Sequence, residues 1–125
     1  MNPMGMSTQT TQRRHLLTAV LGGHHVTTAE VREVTLEAGQ QGGRHLHPCA
    51  VLGYIVHGTA VYEIEGEPAQ TLLTGSAFYE PAGKVIANFG NASDTEPLIF
   101  AAFYLKDGEQ ELITMLPERL EGARL

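Results

Sequence analysis

One cysteine, no tryptophan and only eight lysines and arginines in 125 residues set the first limits on this chain. A lone thiol, Cys49, excludes an internal disulfide and says little about redox compartment. The eight cationic residues stand against fourteen Asp and Glu, a net charge of −6, and Arg13-Arg14 is the one adjacent basic pair. Phosphate recognition needs clustered cations, so nucleic acid is not expected as a partner. No apolar run is long enough to cross a bilayer, and no membrane partner is expected. Leu16 to Leu21, with Thr18 inside it, is also shorter than the core of a secretion signal. A cytoplasmic location follows by default. Residues 1–12 are polar without apolar periodicity and read as a flexible tail, leaving 13–125 as one domain.

Glycine and proline are plentiful, fourteen and six, which favours a chain of frequent turns over a helical bundle. Short β-type segments alternate with those turns: RRHLLTAVL (13–21), AEVREVTLE (29–37), Val51 to Val56, Thr59 to Glu65, AQTLL (69–73), SAFYEP (76–81), KVIANFG (84–90) and PLIFAAFYL (97–105). Most carry β-branched or aromatic residues, and Gly, Pro or Asn stands in most of the breaks between them. Only GEQELITMLPERL (108–120) looks helical, with Pro117 interrupting it. Seven to nine short strands at this spacing predict an all-β sandwich or barrel, with a short C-terminal helix.

Within that frame the spacing of particular residues matters more. From Gly39 the chain reads G-x5-H-x-H to His47, with Gly58 eleven residues on; from Gly75 it reads G-x5-P-x-G through Pro81 and Gly83, and Asn91 follows. Two blocks so spaced, separated by one hairpin, resemble those of the cupin superfamily, and AFYEPAGKV with NASDTEPL is similar to small single-domain bacterial cupins. The resemblance covers about residues 14 to 105 and implies a double-stranded β-helix, or jelly-roll barrel. Residues two apart on a strand share a face, so His45 and His47 point the same way. If that way is inward, two imidazoles converge as a divalent transition metal (Zn, Fe, Mn, Ni or Cu) would require.

The resemblance also implies a Glu seven residues before Gly58 and a His three residues after Gly83. Those positions hold Val51 and Ile86. Four expected ligands become two, His45 and His47, and hydrocarbon takes the place of the others, which points to metal weakly bound or absent. Cys49 shares the parity of the histidines, although Pro48 disturbs the strand there. The candidate ligand-binding residues of the barrel cavity are His45, His47, Cys49, Val51, Tyr54, Phe78, Ile86 and Phe89. Tyr79 and Glu80 precede Pro81, where an outward orientation is open to them. Three functional readings stay open: a cupin barrel binding a small organic molecule beside an incomplete two-His site, a metal-dependent enzyme such as a dioxygenase or isomerase, and a non-catalytic sensory or dimerisation module. Cupins of this size often form homodimers, and 13–21 is a candidate for strand exchange.

Overall fold

Period-2 burial sorts the side chains of this chain into two faces, and the computed structural model, which describes residues 10–118, shows what the inner faces enclose. Nine strands form: β1 (Thr28–Leu36), β2 (His45–Leu46), β3 (Ala50–His57), β4 (Ala60–Ile64), β5 (Gln70–Leu72), β6 (Ala77–Glu80), β7 (Ile86–Asn91), β8 (Leu98–Lys106) and β9 (Thr114–Met115). They build two antiparallel sheets, ordered β1-β8-β3-β6 and β5-β4-β7-β2-β9. Leu98, Phe100, Ala102 and Tyr104 of β8, with Val51, Gly53 and Ile55 of β3, turn inward and are buried, while Tyr54 and Phe103 on the opposite face are exposed. The other sheet contributes Ala60, Tyr62, Ile86 and Phe89 to the same core.

Ile86 and Phe89 are three residues apart, which strict alternation would place on opposite faces. The register of β4 against β7 shifts between Glu63↔Asn88 and Ile64↔Ile86, so Ala87 is an extra residue and both side chains enter the core. Phe78, Phe89 and Phe100 then stack with ring centroids 4.8 to 5.9 Å apart, within the range of favourable aromatic pairs. Gly53 makes room for one of them. Its cross-strand partner is Phe78, whose ring lies where a Cβ at position 53 would be. Gly53→Ala is therefore expected to destabilise the barrel by about 1–3 kcal/mol, as core overpacking does, measured by denaturant midpoint.

Two expectations are corrected at the ends of the chain. Residues 13–21 form no strand. Leu16, Leu17 and Ala19 lie over the outer face of the first sheet, against Leu52, Tyr54, Ala77, Phe103 and Leu105, and a segment laid on a face rather than along an edge makes no ladder. The expected C-terminal helix is also absent from the described residues: Thr114 and Met115 pair with Leu46 and His45, and the Leu116 N–H donates to the Arg44 carbonyl. Without that pairing one edge of β2 would be bare, and the ladder overrides local helical preference. Most of the tail expected over 1–12, and the last part of the expected helix over 119–120, lie outside the described residues. No helix among the described residues is long and apolar enough to cross a membrane.

Candidate metal centre

His45 and His47 come from one sheet and its continuation, Glu80 from the end of β6 in the other, and the three meet in the interior between them. All three are buried, Glu80 to 4% exposure. Glu80 shares strand parity with Phe78, so the side chain that enters the core at 78 carries the one at 80 in with it. Its Oε1 lies 3.2 Å from Nε2 of His45 and 3.1 Å from Nε2 of His47. One ligand atom from each residue falls within 4.8 Å of the other two.

The far side of each imidazole fixes its tautomer. His45 Nδ1 lies 2.9 Å from the Gly43 carbonyl oxygen and His47 Nδ1 lies 2.7 Å from that of Leu112. A carbonyl only accepts, so both Nδ1 atoms carry hydrogen and donate it. The neutral form of each ring then presents a lone pair at Nε2, toward the carboxylate and toward the other ring. Lone pairs and a carboxylate repel one another in buried space unless a proton or a metal ion lies among them. Metal-binding histidines usually donate their other ring N–H to a backbone carbonyl or carboxylate in this way. Metal–ligand bonds of about 2.1 Å at angles of about 90–110° would separate two donor atoms by about 3.0–3.4 Å, which matches the Nε2–Oε1 spacings.

Without an ion the same groups pair as acid and base. Burial pushes the Glu80 carboxyl up, but the hydrogen bonds and charges of His45 and His47 outweigh it and hold the group below the ordinary carboxylate range. Burial likewise pulls His47 down, and the hydrogen bond and charge of Glu80, with the Leu112 carbonyl, reverse that and raise it.

The three donors open on a cavity of about 150 Å³. Val34, Leu36, Val51, Phe89, Phe100 and Ala102 supply its hydrocarbon wall, Tyr104 a phenol, and Ile113 of the C-terminal segment closes part of it. Of the residues proposed from sequence, His45, His47, Val51 and Phe89 line this space. Ile86 and Phe78 are buried in the adjoining core, Ile86 directly across the ladder from His45. Cys49 is buried in the core but does not line the cavity, because the bend at Pro48-Cys49 ends the alternation that His45 and His47 follow. Tyr54 is 37% exposed on the outer face, under the N-terminal segment, away from the cavity.

Beside the two histidines Glu80 is a third group that could hold an ion. Glu80 and Val51 are cross-strand partners. A carboxylate from the neighbouring strand therefore lies beside position 51, where the resemblance expects one. His15, His25 and His57 are exposed and make only surface contacts, to Thr18, Asp107 and Glu96.

A family model described as the cupin domain matches residues 32–113. None of the curated proteins matches the chain significantly by sequence. Among solved structures, a cupin-like protein from Thermotoga maritima is 23% identical with a TM-score of 0.62, covering 72% of this chain and 65% of its own. The DMSP lyase DddQ from Ruegeria pomeroyi is 22% identical with a TM-score of 0.61, covering 70% of this chain and 42% of its own. Oxalate decarboxylase from Bacillus subtilis, a protein with Mn(II) centres, is 26% identical with a TM-score of 0.60 and covers 71% of this chain. The match spans 24% of that enzyme's length. These likenesses establish the double-stranded β-helix, which one further neighbour bears in its description.

Proposed function

This chain belongs to the cupin family, and from that premise we propose that it is a metal-binding cupin whose ion takes a small organic molecule in the barrel cavity. Nε2 of His45, Nε2 of His47 and Glu80 are the proposed ligands. The observation that carries the reading is the pair of Nδ1–H groups committed to backbone carbonyls, which leaves two Nε2 lone pairs facing a buried carboxylate. Imidazole and carboxylate together suit Zn, Fe, Mn, Ni or Cu. A divalent ion held there would act as a Lewis acid toward an oxygen of the bound molecule.

The protein's part follows from its own residues. Gly43 and Leu112 orient the two rings, so the donors are set before an ion arrives. Three protein donors leave coordination positions for a ligand, as sites that bind or transform small molecules do. The wall of Val34, Leu36, Phe89 and Phe100 keeps bulk water from those positions and strengthens the field of any charge inside.

Metal analysis of the purified chain, after chelation and reloading with Zn²⁺ or Mn²⁺ in turn, tests this reading. One equivalent per chain is expected, and His45→Ala or His47→Ala is expected to lose it while the chain remains folded by circular dichroism. If neither ion is retained, or if the His47→Ala chain holds it undiminished, the cluster is a hydrogen-bonded triad of the core and the proposal is wrong.

A further inference from the structure

Tyr104 is the one polar group in the cavity wall that the three donors leave unexplained. It is 9% exposed, it lines the cavity, and its hydroxyl has no hydrogen-bond partner among the described residues. A hydroxyl with no protein partner is satisfied by whatever fills the space beside it, so Tyr104 is free to donate to a molecule in the cavity. Its position is set by the sheet: Val51 pairs with Glu80 on one side and with Tyr104 on the other. Carboxylate and phenol therefore flank the same valine, and the Tyr104 ring stands edge-on to His47 with centroids 5.9 Å apart.

Charge and size narrow the molecule further. A divalent ion with one carboxylate and two neutral imidazoles leaves one positive charge unbalanced in a space walled by hydrocarbon. Such a charge is expensive unless it is paired. A monoanion closes the balance, a dianion overshoots it, and a neutral molecule leaves it open. Beside Tyr104 on the ladder stands Glu30, whose single carboxylate pairs with both Lys106 and Arg32, two cations to one anion. The cavity, about 150 Å³, equals the size of an engineered apolar cavity that takes benzene, about six non-hydrogen atoms.

Resting on the metal-binding reading above, we propose that the molecule is a small monocarboxylate with a compact hydrocarbon body, its carboxylate shared between the ion at His45, His47 and Glu80 and the hydroxyl of Tyr104. The phenol donates to one carboxylate oxygen and the hydrocarbon body lies against Leu36, Phe89 and Phe100. A phenol carries its proton at neutral pH and can donate it.

Calorimetric titration of the metal-loaded protein with isobutyrate, isobutyramide and succinate tests the class, and Tyr104→Phe tests the residue. Isobutyrate is expected to bind at least about tenfold tighter than the neutral amide or the dianion. Tyr104→Phe is expected to weaken isobutyrate by about tenfold, as loss of a hydrogen bond to a charged group does. The variant's metal affinity should be unchanged, and its metal-free melting temperature should not fall, since the lost hydroxyl had no partner. Equal binding of the three molecules, or undiminished isobutyrate binding by Tyr104→Phe, overturns this inference while leaving the metal site standing. A chain that takes up no metal overturns both.

Discussion

Glu80→Gln should leave the barrel folded and lower its affinity for Zn²⁺ or Mn²⁺ by more than the roughly 10–100-fold that loss of an outer-shell partner costs. Glutamine matches the shape and removes the negative charge, so two imidazoles alone would have to hold a dication beside Val51 and Phe89. The cross-strand pairing of Val51 with Glu80 supplies a sharper version. Side chains directly opposite on a ladder share a face and lie about 4.5–5.5 Å apart at Cβ, so the double variant Val51→Glu with Glu80→Val returns the carboxylate to nearly the same place. Metal uptake lost in Glu80→Val is expected to be largely recovered in the double variant, read by competition against a chelator. Wild-type affinity in Glu80→Gln would show that the carboxylate is no ligand.

The metal-free protein should respond to pH in a way that separates these groups from ordinary core packing. Glu80 sits below its ordinary 4.5, so its contribution to stability is present above that value and lost as pH falls through the folded value. His47 sits above its ordinary 6.5, so its contribution is full below 6.5 and lost as pH rises through the folded value. The triad therefore stabilises the metal-free barrel most between about 4.5 and 6.5. Metal requires both imidazoles neutral, so added Zn²⁺ should raise the melting temperature more at pH 8 than at pH 6, and Glu80→Gln should flatten both trends.

Local pattern carries most of this fold and about two-thirds of the centre. The alternation of Val61 and Glu63 against Tyr62 and Ile64, the turn at Gly66 and the H-x-H of His45 and His47 are features of neighbouring residues, and neighbours decide them. Glu80 was harder to place. Its approach to the histidines depends on β6 lying against β3 in the register 51↔80, a pairing across 29 residues that no single segment encodes. The signal available was smaller: Phe78 and Glu80 share a parity in AFYE, so an inward phenylalanine commits the glutamate. Proximity to the Pro81 turn obscures it. Cys49 lies in the core away from the cavity lining, since its parity with His47 holds only for a strand that does not bend. The end of the chain looks helical in isolation and is extended because the edge of β2 is there to receive it.

Ile86→His is expected to raise metal affinity by at least an order of magnitude, the reverse of the Glu80 variants. Ile86 is wholly buried and is the direct ladder partner of His45, so its side chain leaves the strand on the same face. An imidazole at 86 would thus add a fourth donor beside His45, at the position where the cupin resemblance places one. The substitution acts with opposite sign on the two states of the protein. Without metal it buries a polar ring among hydrocarbon, at a cost of about 1–3 kcal/mol unless a partner is found. With metal the ring's second nitrogen gains an ion, and binding free energy becomes folding free energy. Melting temperatures should fall relative to wild type in chelator and recover or exceed it in Zn²⁺, and chelator competition should require a stronger chelator to strip the ion. A folded Ile86→His chain whose metal affinity is unchanged would place residue 86 out of reach of the ion. The hydrocarbon at 86 would then be packing that the site merely adjoins, and the three-donor centre would be complete as it stands.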